Sequence, residues 1–249
     1  MNNFVDYFVI IEGDKTWQNN KKDLKFDINN FQKFKDKIIY VPITNMPSGD
    51  NPYDRENFQR NSISRGIEKA DDDDLIIISD LDEIPNPKKI KNFKKKMRFA
   101  VFKQLHFYYK LNLHSQKHPF WYGSRICVKK FLKSPQWLRD LKFKKRPFWR
   151  IDKMRLNNII EDGGWHFCNL KDPEKLLYKY KNLCETDDPH VFKEKIDQKF
   201  LNIEEIEKRM KRGLDIIGRD ELYKRINLDE RFPDYIVNKK KELFDWIVD

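Results

Sequence analysis

Alanine and glycine are nearly absent from the chain: its 249 residues include two alanines and eight glycines. Long apolar runs are missing too, and none approaches the roughly 20 residues that cross a bilayer. The three cysteines, Cys127, Cys168 and Cys184, are an odd number without metal-ligand spacing. That argues against a disulfide framework and for free thiols in a reducing, cytoplasmic setting. The opening MNNFVDYFVIIEGDK has an apolar stretch too short and too acidic for a signal peptide. There is no internal repeat and no low-complexity linker. The length suits one large domain, or a domain with a helical appendage.

What the chain does have is charge. Lys and Arg number 51 against 40 Asp and Glu, a net +11. Such a balance points to an anionic partner: nucleic acid, a nucleotide-sugar diphosphate, an acidic glycan or a membrane surface, the last as a peripheral contact. Because Lys, Asn and Ile abound throughout, part of this charge is compositional. Aromatics at 14% support a folded globule in spite of 37% charged residues.

The first half alternates between strand and helix patterns. VDYFVIIE (5–12) and KIIYVPI (37–43) read as strands, the second ended by the turn-rich MPSGDNP. Asp54 is placed to cap a helix through RENFQRNSISRGIEKA, with Phe58, Ile63 and Ile67 as its apolar stripe. DDDDLIIISD then supplies a strand apolar throughout, as an interior parallel strand is. The order implies an open α/β sheet. AVFKQLHFYY is a further strand, and EDGGWHFCNL (161–170) a turn into a short one. Beyond Asp172 the chain reads as helical, most clearly in EEIEKRMKRGLDIIG and the closing NKKKELFDWIVD.

LIIISDLDEIPNP (75–87) carries the chemistry. In extended backbone, residues i and i+2 share a face, so Asp80 and Asp82 point together while Leu81 turns away. Ligands of open α/β sheets bind at the carboxyl ends of strands, and paired carboxylates there suit Mg²⁺ or Mn²⁺ bridging to substrate phosphates. A capped turn is the plain alternative. Haloacid-dehalogenase-type phosphatases also carry Asp-x-Asp after an apolar strand, the first Asp acting as nucleophile. Here Glu83, Ile84 and Pro85 follow, and the extra carboxylate crowds an attacking aspartate. The run Asp71 to Asp74 lacks the ligand spacing and glycine of an EF-hand loop. LKFKKRPFWR (141–150) mixes bases with stacking aromatics, as a nucleic-acid-binding module does, without any recognised motif.

Four stretches, VDYFVIIEGDKT, RENFQRNSI, IIISDLDEIPNP and GGWHFCNL, resemble glycosyltransferase family 17, with weaker echoes in RGLDIIGRD and FPDYIVN. The family includes a β-1,4-mannosyl-glycoprotein N-acetylglucosaminyltransferase. The resemblance implies a GT-A-like nucleotide-sugar fold with a mostly parallel sheet, a UDP-sugar donor (GlcNAc for the family), a glycan acceptor, Mn²⁺ or Mg²⁺, and inversion at the anomeric carbon. It implies a core over 1–170 and a helical extension over 171–249. Family members usually carry a strand and helix ahead of the VDYFVIIE equivalent, so the chain is expected to lack that first strand.

Roles follow from the resemblance. Asp80 and Asp82 hold the metal on the diphosphate, with His166 between Trp165 and Phe167 as a further ligand or a packed residue. An inverting transfer needs another carboxylate to take the acceptor proton; Asp162 is preferred over Glu161, with turn capping as the alternative for either. Glu12 is the expected acceptor of a uracil hydrogen bond, with Lys15 near the phosphates. On the helix bearing Arg55, Gln59, Arg60 and Asn61, Arg60 has the fork that suits phosphate, with Asn61 beside it. Trp121, Tyr122 and Arg125, together with Trp165, form the expected acceptor platform or else ordinary core.

Overall fold

In the computed structural model, residues 1–142, 158–182 and 198–248 are described. A ten-residue strand organises them. β5 (Phe99–Tyr108) is buried along almost its whole length because sheet neighbours flank both of its edges. One edge lies parallel to β9 (Ile159–Cys168). The other takes β8 (Arg125–Val128), β7 (Phe120–Trp121) and β6 (Leu113–Ser115) in succession, all antiparallel. β10 (Tyr223–Arg225) extends the sheet beyond β6, β3 (Leu75–Ile78) beyond β8, and β4 (Glu83–Pro85) beyond β9.

The expected mostly parallel sheet is therefore not what the chain forms. In this mixed α/β fold the eight-stranded sheet is mostly antiparallel, with β5–β9 as its parallel pair. β1 (Phe8–Gly13) and β2 (Ile38–Ile43) pair in parallel as a separate two-stranded sheet. β3 shows why the sequence misled. Its Ile76 and Ile78 pack in one cluster and Ile77 against another. A continuous apolar run reports burial on both faces, which antiparallel strands under cover share with parallel ones.

Local signals were read more closely than direction. α1 (Pro52–Asn61) starts where the sequence turns, but Asn51 caps it, accepting from the Tyr53 amide at 3.1 Å, and Asp54 sits in the first turn. The helix breaks at Ser62 before a single further turn, α2 (Ile63–Gly66). The segment 161–170 is no turn into a short strand but continues β9 through a bulge. Between Phe102 and Gln104 the register slips, and Asp162 and Gly164 take positive φ of 49° and 135°. A Cβ on Gly164 would stand 2.1 Å from the Ile84 carbonyl oxygen, so only glycine lets β4 pair there.

After α3 (Pro135–Asp140) and β9 come α4 (Pro173–Asn182), α5 (Ile203–Lys211) and α6 (Asp234–Asn238). Leu176, Tyr180 and Ile206 pack with Tyr108, Tyr109 and Tyr223 in one cluster, and Phe232, Ile236 and Ile247 join Phe107 and Phe167 in another. The C-terminal part thus shares the core of the sheet and adds a strand to it. The closing NKKKELFDWIVD is not a helix but turns around Phe244–Trp246. Tertiary bonds override its helical propensity: Asn112 holds both the amide and the carbonyl of Val248, at 2.9 and 2.7 Å. Among the described residues no helix is long and apolar enough to cross a membrane.

Candidate active site

The two paired aspartates take different partners. After β3 the chain turns through Ser79 to Asp82, closed by the Glu83 amide on the Asp80 carbonyl at 3.1 Å, and re-enters the sheet as β4. Asp80 faces cations: its Oδ2 lies 2.6 Å from Arg139 Nη2 and its Oδ1 3.3 Å from Arg60 Nη2. Asp82 has a different partner. Its carbonyl accepts from the Phe167 amide at 2.9 Å, which sets its carboxylate beside the face of β9 that carries His166 and Cys168.

Glu83 organises the cation side. Its side chain is 1% exposed, and Arg139 forks onto it with Nη2–Oε1 of 2.5 Å and Nη1–Oε2 of 2.9 Å. Trp121 Nε1 donates to it at 2.7 Å and Ser124 Oγ at 3.1 Å. Gly123 makes room, since a Cβ there would lie 1.9 Å from Glu83 Oε1. Arg139 arrives on α3, whose first turn Ser134 caps by accepting from the Trp137 amide at 3.1 Å, and whose Leu138 is fully buried. Arg60 comes from the last turn of α1 and also bonds Gln136 Oε1 at 2.6 Å and Glu56 Oε1 at 2.7 Å. Asn61 accepts from the Gln136 amide at 3.0 Å, tying α1 to α3.

On the other side, His166 Nε2 lies 3.4 Å from Asp82 Oδ1. Its ring stacks on Trp121 at a centroid distance of 4.8 Å and on His106 at 4.9 Å. Cys168, two residues along β9, presents its thiol to the same face. One ligand atom from each of Asp82, His166 and Cys168 falls within 4.8 Å of the others. His166 Nδ1 and His106 Nε2 are buried without a hydrogen-bond partner. Trp121 is 37% exposed, so one ring face closes over His166 while the residue still meets solvent.

The environments pull the ionisable groups apart. Burial raises Asp80 above the ordinary aspartate range in spite of Arg139. Burial also works to raise Glu83 and Asp82, but Arg139 outweighs it for Glu83 and His166 for Asp82, leaving both carboxyls low. For His166, burial is overcome by Asp82 and the neighbouring Cys168, and its pKa rises to about 9. Burial and the charge of His166 push His106 down to about 3, so it is neutral. A neutral and a cationic imidazole thus lie face to face.

Other residues singled out in the sequence have different surroundings. Both Glu12 oxygens are occupied, by the amides of Lys25 and Phe26 at 2.7 and 2.9 Å and by Tyr40 at 3.1 Å, so Glu12 fastens the loop before β2. Lys15 bonds Ser48 Oγ at 3.1 Å. Arg55 is 1% exposed and holds the carbonyls of Trp17 and Gly49, both at 2.6 Å. Arg125 is buried; it donates to the Tyr122 and Gly123 carbonyls and to that of Arg139, bracing the turn below Glu83. Tyr122 packs against the Ile76–Ile78 cluster. Trp165 points to the opposite face of β9 from His166, in the core, with its indole donating to the Arg231 carbonyl at 2.8 Å. Trp121 is the one of the expected platform that reaches this group.

Glu161 and Asp162 are not brought there either. They sit in the bulge, ion-paired to Lys103 at 2.9 Å and Lys89 at 3.1 Å. Asp82 lies across from Phe167 and Asn86 across from Gly163, four residues or about 13 Å farther along β4. Lys103 alternates with Gln104 and His106, so its partner Glu161 is held on the other face of β5. From residue 143 the basic aromatic stretch 141–150 lies outside the described residues, as does Cys184.

The sequence model of glycosyltransferase family 17 matches residues 1–223. The chain belongs to glycosyltransferase family 17. No curated protein and no solved structure shows a significant match to it. A family 17 glycosyltransferase acts on a sugar donor and a glycan acceptor, and Arg60, Asp82, Trp121 and His166 gather charge and an aromatic face for such ligands. The residues present also suit a divalent cation: a carboxylate, a thiol and a buried imidazole converge at one point. Glu83, Arg139 and Cys168 were missed as parts of the site. Glu83 and Cys168 stand in SDLDEIP and GGWHFC, and the i, i+2 spacing of His166 and Cys168 was the legible signal. For Arg139 the sequence carried none, because only the packing of α3 against β3 and β8 brings it to the carboxylates.

Proposed function

We propose that this family 17 glycosyltransferase moves a sugar, GlcNAc by family, from a UDP-sugar to a glycan hydroxyl at the cleft we assign to the face where Arg60, Asp82, Trp121 and His166 lie beside α1, α3 and β9. The observation that carries the reading is the Asp82–His166 pair, in which the buried His166 is stacked under the half-exposed Trp121 and the Asp82 side chain is 34% exposed. A divalent cation held at Asp82 and His166 would supply the charge that neutralises a diphosphate leaving group. The chain's own residues do the rest. Arg60, whose side chain is 13% exposed and bonded to Asp80, Glu56 and Gln136, supplies a cation next to Asp80 whose fork suits diphosphate oxygens once the long 3.3 Å bond to Asp80 gives way. Arg139, locked on Glu83, keeps Asp80 and the turn behind it fixed, so the binding face is preorganised. Trp121, held by its indole bond to Glu83, presents a ring face on which a pyranose stacks.

The test is a panel of UDP-sugars scored for release of UDP in Mn²⁺ or Mg²⁺, with Asp82→Asn as control. Turnover with one donor, abolished by chelation and by Asp82→Asn, is the expected result. The same rate in Asp82→Asn as in the native chain would remove this cleft from the reaction.

A further inference from the structure

The site has a soft side that Asp-x-Asp reasoning leaves out. Both expected carboxylate ligands would be hard oxygens, yet Asp80 is engaged elsewhere, with one oxygen on Arg139 at 2.6 Å and the other on Arg60 at 3.3 Å. The group that does converge is Asp82, His166 and Cys168. It is held by backbone rather than by side-chain chance. His166 and Cys168 are i and i+2 in β9, and the amide of the intervening Phe167 bonds the Asp82 carbonyl at 2.9 Å. Independently, His166 is 6% exposed with Nε2 turned to Asp82 Oδ1 at 3.4 Å, and its buried Nδ1 has no hydrogen-bond partner, so no protein hydrogen bond fixes the ring's other nitrogen. Cys168 is half-buried against the Tyr108–Tyr180 cluster, which gives the thiol an apolar backing.

We propose that Cys168 is a metal ligand and that Asp82, His166 and Cys168 form a site selective for a thiophilic divalent cation such as Zn²⁺ or Co²⁺ over Mg²⁺, with Asp80 outside the ligand set. The inference rests on the reading of this cleft as the cation site. Ligands about 2.0–2.3 Å from a tetrahedral metal lie roughly 3.5 Å from one another, so side-chain adjustments on the order of an ångström close the triad. As the metal binds, the Cys168 thiol and the His166 imidazolium each give one proton to solvent, so that they ligate as thiolate and neutral imidazole. Three protein ligands leave a fourth position open, as catalytic rather than structural sites do. Thiolate and imidazole favour Zn²⁺ and Co²⁺, whereas Mg²⁺ takes oxygen ligands. Asp80, freed from ligation, is the anchor that holds Arg60 and Arg139 in place.

The experiment titrates the metal-free full chain with Co²⁺ alone and follows the near-ultraviolet thiolate-to-cobalt absorption. The expected result is a band that Zn²⁺ displaces and a large excess of Mg²⁺ does not. Cys168→Ser loses the band, Cys184→Ser and Asp80→Asn keep it, and Zn²⁺ affinity in Cys168→Ser falls by at least about tenfold. Zn²⁺ also protects Cys168 from alkylation in the native chain. Circular dichroism of Cys168→Ser, in which serine keeps an oxygen in place of sulfur, checks that the variant is folded. Cobalt bound without a thiolate band, or a band that survives Cys168→Ser, overturns this inference; if that binding still vanishes in Asp82→Asn, the cation reading of the cleft stands. No cation bound by any form overturns both.

Discussion

Replacing Glu83 by glutamine is the sharpest test of how the cleft is held. The substitution keeps the shape of a side chain that is 1% exposed but removes its charge and turns an amide donor toward Arg139. Arg139 is itself 13% exposed and loses the fork of 2.5 and 2.9 Å that compensates its burial. Asp80, at 2.6 Å, is left as its carboxylate partner. Removing one member of a buried ion pair costs about 3–5 kcal/mol, because the other charge stays desolvated. At about 2–4 °C per kcal/mol for a chain of this size, the melting temperature drops by roughly 10 °C. Urea unfolding followed by tryptophan fluorescence measures the loss as a lower midpoint with an unchanged slope. Adding Arg139→Met to Glu83→Gln should recover part of it, since the stranded charge goes too. A loss below about 1 kcal/mol in Glu83→Gln would mean that the pair behaves as a solvated surface bridge, and the account of a preorganised cleft would fail.

Other consequences are open to direct measurement. Gly164→Ala, which places a methyl 2.1 Å from the Ile84 carbonyl oxygen at a φ of 135°, should cost about 3 kcal/mol or more in the same urea assay; near-native stability would contradict the bulge geometry. Burial pushes the Cys127 thiol up to about 12, so iodoacetamide at neutral pH should leave it unmodified in the folded chain while the half-buried Cys168 reacts, as peptide mass mapping will show. Glu161→Gln and Asp162→Asn should each leave sugar transfer within about twofold, because both carboxylates are exposed, paired to lysines and remote from Asp82; a loss of 10²-fold or more, typical of a removed general base, would place the acceptor at the bulge. Glu83 and Asp82 ionise below their ordinary range in the fold, so as pH falls the unfolded chain takes up their protons first. The stability they add is complete above the ordinary Glu value of 4.5 and is lost on acidification below it, and Glu83→Gln should flatten that decline in an acid titration.

By itself the sequence determined the local elements and the chemistry on offer. Strands β1, β2, β3 and β5 fall where branched and aromatic residues run together, and α1 starts where Asn-Pro turns the chain. Family membership was legible too, because SDLDEIP and GGWHF are contiguous motifs. Strand direction was not. The apolar run before Asp80 records burial on both faces, and direction depends on which distant segment completes the sheet, here β8, some fifty residues on. The same holds within the site. Spacing alone put Asp80 and Asp82 on one face, but the strand ends at Ile78, and spacing in the turn that follows does not say which partner each carboxylate takes. Only the packing of α1 and α3 gave Asp80 to two arginines, and only the hydrogen bond between β4 and Phe167 gave Asp82 to His166 and Cys168. Residue type fixes what a side chain can do; contacts between segments far apart in sequence decide which partner it does it with.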